Sequence, residues 1–585
     1  MTSAFDKSSP EIEQRAASTP SQFAAFGLLL KGAIALGVIL RFVWVQKREL
    51  WYDEVLSVLL SSGQKNAYRL PENAPIRMQE ISQLLSIPVE RNSLIAAKDV
   101  VKGTLGDPHP PLFYLMQHSW MRLFGNGEGA LRYSIVLISI AALWAAYETG
   151  KRVIGQRGAL VFTALLALNP FFLSHSLNLR MYAPLVLWVL SGAACLLALA
   201  DRKHTTLPTH GDSAREKSIT WLLRIGLAGS LTAGLLTHYL FTYWLFGISA
   251  LALYLDRKRW HQHGLTIGAG ILFFVPWVLW GTRQQVHNRR DVLTQISAVG
   301  GPLQAVFQHG KDLAQTLANH LLLGHLTTSM LPMSEAIKPT AVAVGCALIG
   351  FLAFCIVSLY RRRQHRVLTV SLLMGALPLL MALAIDTAAN KYTLGFGWGR
   401  SVMVALPGCL LLVAAWLELG TARRREAWIS LILAVYLAVN LGDWGIGGLG
   451  GRDRQMFHAL SDRLITSAHP TLIALDTKAW GHVLRLAYYL QAPVLADSAE
   501  VDLLATNPEE MSGAIGSALE KKDYAQVLWL HAEYPLWAQA ETAAAAESWA
   551  AQTQAALETQ RVATSEPQVL HGTMNLDEFV LHEYR

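Results

Sequence analysis

Apolar runs of spanning length recur through the first three quarters of this 585-residue chain, and no soluble core needs that many. They fall at about 23–45, 128–150, 158–175, 183–200, 219–237, 239–255, 265–282, 340–360, 367–386, 401–419 and 428–446. Each approaches the ~20 residues a helix needs to cross hydrocarbon, where backbone groups must be satisfied within the segment. Only 16% of the residues are charged and 52% are hydrophobic, against roughly a quarter charged in an ordinary soluble chain. The predicted fold class is therefore an α-helical polytopic membrane protein with about eleven transmembrane helices. The first run is too long for a signal-peptide core and is read as a retained span.

Loop charge sets the orientation. Alternate connections read "KRVIGQR", "DRKHTTLPTHGDSAREK", "DRKRWHQH", "RRRQHR" and "ARRRE". Basic loops mark the cytoplasmic side, so the net charge of +7 points to that leaflet and not to nucleic acid. The expected location is the cytoplasmic (inner) membrane, with residues 1–22 as a cytoplasmic tail and 23–450 as the membrane domain. On the outer side fall a loop at 47–127, the turn "SLNLRMY", a basic segment at 283–338 and the loop "TAANKYTLGFGWGR".

Beyond about 450 the composition changes. "TLIALD", "PVLAD", "AQVLWLH" and "EFVLHEY" read as strands, and "HVLRLAYYLQ" and "TAAAAESWAAQTQAALETQ" as helices. Residues 451–585 are thus expected to form a small extracytoplasmic α/β domain. The four cysteines, Cys195, Cys346, Cys355 and Cys409, all lie in apolar runs, without disulfide or metal spacing.

The chemistry is expected on the outer side. In "ELWYDEVLSVLLSSG" two carboxylates, Asp53 and Glu54, stand where the first span ends. Helical neighbours point about 100° apart, so one would face a reaction while the other pairs or binds a metal. The following "VLSVLL" is apolar enough to lie along the membrane surface. In "GDPHPPLFYLMQHSWMRLFG", Pro110 and Pro111 can open a helix with His109 near its cap. Leu112, Leu115, Met116, Trp120 and Leu123 would form its apolar stripe. Arg180, Lys391 and Arg400 fall at outer span ends, where they suit either a phosphate or snorkelling to the interface. His238, in "THY", fits a packed, hydrogen-bonded role better than a metal site, although a divalent ion near Asp53, Glu54 and a histidine would supply a Lewis acid.

"WYDEVLSV", "DPHPPLFYLMQHSWMRLFG" and "ALRYSIVLI", taken together, resemble the dolichyl-phosphate-mannose–protein mannosyltransferase-like membrane glycosyltransferases of the GT-C superfamily. That group includes the bacterial aminoarabinose transferases that modify lipid A. The resemblance continues through "GQRGALVFTALLALNPFFLSHSLNLRMYAPL", "THYLF" and "GRSVMVALPGCLLLVA", to about residue 420. It implies a polyprenyl-phosphate-linked sugar donor and transfer to an acceptor on the non-cytoplasmic face. Carried over, Asp53 matches the catalytic acid, with Glu54 beside it, and His109, Pro110 and Pro111 match the first-loop motif. Arg180 and Tyr182 match the end of a motif usually written Ser-Gln-Glu-Ala-Arg-Met-Tyr, in which Leu177 and Asn178 here replace Gln and Glu. Arg400 matches the basic residue before a late span, followed by Ser401 where Tyr is usual. With Lys391, these basic residues are the expected donor-phosphate ligands. Two rival readings are a transporter or flippase of lipid-linked sugars, which would place ionisable residues in mid-span, and a non-catalytic glycan-assembly protein, which the lost acid at Asn178 would suit.

Overall fold

The computed structural model describes residues 20–88, 92–202, 213–288, 302–324, 337–389, 391, 393–421, 424–445, 455–465, 469–491, 500–532, 543–573 and 578–585. Among these, nine helices are long and apolar enough to cross a membrane, by length and composition. The 41-residue helix Glu128–Leu168 turns at Gly155, whose φ of +76° is a left-handed conformation open to glycine. Phe241–Leu255 is apolar but shorter. All eleven runs read from the sequence are thus helical over most of their length. Leu28, Trp144, Trp221, Leu265 and Phe354 stay exposed on the outside of the bundle, as lipid-facing residues would. Of these nine, the helix Gly399–Gly420 is the most enclosed, with 89% of its apolar stretch buried.

The basic connections are tied together at the opposite end. Arg157 pairs with Glu418 (3.6 Å) and Glu426 (2.9 Å), and Arg366 with Asp201 (2.6 Å).

The first long loop is largely helical, with helices Tyr52–Ser62, Ser93–Thr104 and Leu112–Phe124. Its apolar run corrects one expectation. Val55, Val58, Leu59 and Leu60 do not lie on a membrane surface; they are buried in protein, beneath helices Leu112–Phe124 and Trp480–Tyr489. Leu112–Phe124 packs through Phe113, Tyr114, Gln117, His118 and Met121, whereas Leu123, on the expected stripe, is 76% exposed. Leu112, Leu115, Met116 and Trp120 are half-buried, Leu115 against the core, so the stripe is the flank of the helix and only its end, Leu123, faces outward.

The C-terminal region is built on a six-stranded sheet: β1 (Ile76–Arg77), β2 (Thr471–Leu475), β3 (Val501–Ala505), β4 (Gln526–Ala532), β5 (Gln568–His571) and β6 (Glu578–Tyr584). Their order is β1-β3-β2-β4-β6-β5. β2 runs parallel to β3 and β4, and the remaining pairs are antiparallel. β1 comes from the first loop, more than 390 residues away in sequence, with Ile76 opposite Leu503. "TLIALD", "AQVLWLH" and "EFVLHEY" are strands as expected, and "PVLAD" lies outside the described residues.

The loop and the sheet region are joined through many polar contacts. The Leu50 N–H donates to Tyr489 Oη at 2.6 Å, and Tyr489 Oη donates to Glu128 at 2.9 Å. The Tyr488 hydroxyl donates to Asn126 O at 2.6 Å, and His458 pairs with Glu49 at 2.9 Å. Gly481 lies against the Tyr52 ring so closely that a Cβ would collide with it.

Candidate active site

Trp51 begins the helix Tyr52–Ser62, and Glu54 reaches back to accept the Trp51 N–H at 3.0 Å, satisfying one free donor of the helix start. The same carboxylate receives Arg132 as a fork: Nε to Oε1 at 2.9 Å and Nη2 to Oε2 at 2.7 Å. The Leu179 N–H adds a fourth bond at 2.7 Å. Burial alone would raise this carboxyl, but the charge and hydrogen bonds of Arg132, helped by Arg48 and Leu179, hold it below the usual carboxylate range. Arg132 also donates to the carbonyls of Val45 (3.2 Å), Arg48 (2.6 Å) and Glu49 (2.9 Å). Glu54 and Arg132 thus fasten the end of the first span, the loop helix and the turn after Asn178 to one another.

Asp53, one residue earlier, points elsewhere and keeps 20% side-chain exposure against 0% for Glu54. Arg400 Nη2 lies 3.0 Å from Asp53 Oδ2, and Arg180 Nη2 lies 3.9 Å from the same oxygen. Arg180 Nη1 is anchored on Ser57 Oγ (3.0 Å) and Asp53 O (3.3 Å), while its buried Nε has no partner among the described residues. Burial would lower the Arg180 guanidinium, but Asp53 and the neighbouring Tyr114, Tyr182 and Asp107 raise it, so it stays charged.

Arg400 rests over two rings, Trp51 at 5.1 Å and Tyr182 at 5.9 Å. The Trp51 indole is held in turn by Asn178, whose Oδ1 accepts Nε1–H at 2.5 Å. The residue that departs from the family motif therefore orients the shelf under Arg400. Gly399 precedes Arg400 at φ +86°, and a Cβ there would meet Thr316 at 2.7 Å. Glycine lets the chain turn at that point.

A second group lies beside the first. Asp107 Oδ1 accepts His109 Nδ1 (2.8 Å), the His109 N–H (3.0 Å) and the Tyr114 hydroxyl (3.0 Å). Burial opposes ionisation of Asp107, yet His109 and, further off, Arg180 hold its pKa at about 2. His109 and His238 have ring centroids 5.5 Å apart. Burial, followed by the charges of His109, Arg180 and Arg400, lowers His238 to about 3. Its Nδ1 accepts the Leu240 N–H at 3.2 Å, which assigns the ring proton to Nε2. Gln285 donates to the carbonyls of Thr104 and His109, each at 2.8 Å, and pins this loop to the helix Arg283–Asn288. Pro110 and Pro111 are buried at the start of Leu112–Phe124.

The structure thus brings together Asp53, Arg180, Tyr182, Arg400, His109 and His238. The Lys391 backbone N–H donates to Asp386 O at 3.1 Å, which fixes the start of the loop that leads to Arg400. Asp53, Glu54 and His238 do not assemble as a metal-ligand set. Both Glu54 oxygens are taken by N–H donors, Asp53 faces two guanidiniums, and His238 Nδ1 accepts a backbone donor. Among the described residues no group of three or more His, Cys, Asp or Glu could hold a metal ion.

Sequence reasoning had not singled out Arg132, Asp107, Tyr114 or Trp51. For Arg132 a signal exists: an arginine near the start of an apolar span, in "ALRYSIVLI", needs a partner.

Residues 108–280 match the family model described as dolichyl-phosphate-mannose-protein mannosyltransferase. This is the family whose motifs the sequence resembles. No curated protein matches the chain. Among solved structures, ArnT from Cupriavidus metallidurans in the apo state is 13% identical, with 96% of this chain and 98% of that one covered and a TM-score of 0.49. The same protein bound to undecaprenyl phosphate gives 11%, 97%, 98% and 0.47. AglB, the archaeal oligosaccharyltransferase from Archaeoglobus fulgidus, in complex with an inhibitory peptide and a dolichol-phosphate, gives 14%, 87%, 70% and 0.44.

Proposed function

We propose that this chain, with a mannosyltransferase-family segment at residues 108–280, is a membrane glycosyltransferase that moves a sugar from a polyprenyl-phosphate donor to an acceptor on the outer face of the cytoplasmic membrane. The observation that carries the reading is the convergence of Arg180 and Arg400 on Asp53 from segments more than 120 and 340 residues away. Two guanidiniums beside one partly exposed carboxylate suit a reaction that develops negative charge on one partner and releases a proton from the other.

The acceptor hydroxyl would approach Asp53. Its oxygen forms the new bond to the anomeric carbon as the bond from that carbon to the phosphate oxygen breaks. The electron pair leaves with the lipid phosphate, and the hydroxyl proton passes to Asp53. Arg carries five N–H donors, so Arg400 and Arg180 can hold Asp53 and a phosphate oxygen at the same time. Displacement in one step inverts the sugar carbon. Tyr182 and Trp51 orient Arg400, and Glu54 is a positioning residue through Arg132 and the Trp51 N–H.

The outer-face assignment is supported by the basic connections gathered at the end of the bundle opposite Asp53. Purified protein supplied with a radiolabelled polyprenyl-phosphate sugar and an envelope extract should transfer label to the extract, and Asp53→Asn should not. Movement of the intact lipid-linked sugar across vesicles, without transfer, would instead support a flippase.

A further inference from the structure

We propose that the sheet region carries a second ligand site, a carbohydrate-binding crevice at the carboxyl ends of β2, β3 and β4, in which His531, Asn73, Lys478 and Glu510 form the accessible rim and the buried Asp476 and Thr506 hold His531, Asn73 and Glu510 in place beneath it. The topology selects this place. β2 lies between β3 and β4, all parallel. The connection from β2 to β3 runs through helix Trp480–Tyr489, and that from β3 to β4 through helix Pro508–Lys521. These helices cover opposite faces. Ile473 and Leu475 belong to the same apolar cluster as Val483 and Leu484, whereas Leu472 and Ala474, on the other face, belong to a separate cluster with Met511 and Ile515. The chain therefore reverses its winding between β2 and β4. In open α/β sheets such a reversal opens a crevice beyond the strand carboxyl ends, where ligands bind.

The side chains at that point change character. Leu472, Ala474, Leu504, Val527 and Trp529 are apolar and share one face. The next positions on that face, after two residues on each strand, are Asp476, Thr506 and His531. Leu475 is paired with Ala505 on one side and Leu530 on the other, so these three form one row with roughly 4.8 Å between strands. Asp476 is buried; its Oδ1 accepts the Ala532 N–H at 2.8 Å and its Oδ2 lies 2.5 Å from His531 Nδ1. That pairing fixes the imidazole and leaves Nε2 without a partner among the described residues, on a side chain 21% exposed.

The rim comes partly from the first loop. Asn73, at φ +55°, accepts the Thr506 hydroxyl at 2.7 Å and donates to Glu510 at 2.7 Å. Lys478 lies 3.4 Å from the same Glu510 oxygen. Carboxylates, an amide, an imidazole and an ammonium give closely spaced donors and acceptors of both signs, which suits the hydroxyls of a neutral sugar ring better than an anion. The choice of a sugar as occupant rests on the glycosyl-transfer reading; the position of the crevice does not.

The test is saturation-transfer NMR on the full-length protein in detergent, without donor lipid, against glucose, galactose, mannose, N-acetylglucosamine and arabinose. At least one should receive saturation from the wild type. The same signal should need about tenfold more sugar in His531→Ala or Lys478→Ala, as expected for one lost polar contact. It should persist in Asp53→Asn. No signal from any of the five sugars, or a signal indifferent to both His531→Ala and Lys478→Ala, would overturn the proposal. Thermal unfolding of each variant shows that it is folded, and Asp476→Asn, which touches the Ala532 clamp, is read only beside the two rim variants. Turnover of polyprenyl-phosphate sugar is measured on the same preparations. Sugar binding without turnover keeps the crevice and sinks the transfer reading; turnover without sugar binding does the reverse.

Discussion

Glu54 and Arg132 meet in a two-pronged ion pair with neither side chain exposed to solvent, 78 residues apart in sequence. Removing one member leaves the other buried and uncompensated, which costs about 3–5 kcal/mol. Glu54→Gln should therefore lower folded abundance and the unfolding temperature, and the double change Glu54→Leu with Arg132→Met should recover part of the loss. Wild-type unfolding of Glu54→Gln would show that the pair does not hold the loop helix.

Asp53 carries the opposite expectation. Asp53→Asn keeps the shape of the side chain at a position that retains solvent contact. Folded abundance should be unchanged, and sugar transfer should fall by ~10²–10⁴. The check is the initial transfer rate at matched protein level. A rate near wild type would make Asp53 only a partner for the two arginines.

Donor binding should depend on Arg400 and Arg180 together. Truncating either to Ala should weaken polyprenyl-phosphate binding by roughly 1.5–3 kcal/mol, the worth of a charged hydrogen bond. Arg400→Lys should restore little of it, because an ammonium cannot present a flat fork or stack over Trp51 and Tyr182. Titration of the protein with the lipid phosphate gives the affinities. Equal affinity in wild type and both Ala variants would return these arginines to an interfacial role.

Acid should destabilise the site through His238 and Asp107. The pKa of His238 falls from 6.5 to about 3 on folding, so below pH 6.5 the unfolded chain binds a proton that the folded one refuses. Stability should then drop by about 1.4 kcal/mol per pH unit until the folded pKa is reached. Asp107, lowered from 3.8 to about 2, adds a contribution present above pH 3.8 and lost as pH falls toward 2. Unfolding temperatures between pH 7.5 and 4.5 should decline less steeply for His238→Gln than for the wild type. Parallel declines would mean that His238 titrates normally.

Orientation can be read by labelling intact cells. A cysteine at Gly513, exposed in the sheet region, should react with an impermeant thiol reagent, and one at Lys217, exposed beside a basic connection, should be shielded. The reverse pattern would move the Asp53 face to the cytoplasm.

Much of this protein was legible in the sequence because the physics that set it is local. A span is a run of apolar residues, so hydropathy located the eleven helical segments. Loop charge grouped the basic connections, and helical geometry required Asp53 and Glu54 to part. Local pattern has no means of choosing partners across space. Which carboxylate is sealed in the core and which keeps solvent contact was decided by Arg132, which fills the Glu54 side of the helix, and by Arg180 and Arg400, which flank the Asp53 side. Ile76–Arg77 became an edge strand only because β3 offered unpaired backbone groups more than 420 residues later; two residues carry no periodicity to read. The "VLSVLL" run was apolar in either setting, and the helix Trp480–Tyr489 lying over it made it core instead of membrane surface. A side chain's type is written in the chain, but what it touches is settled when distant segments close on it.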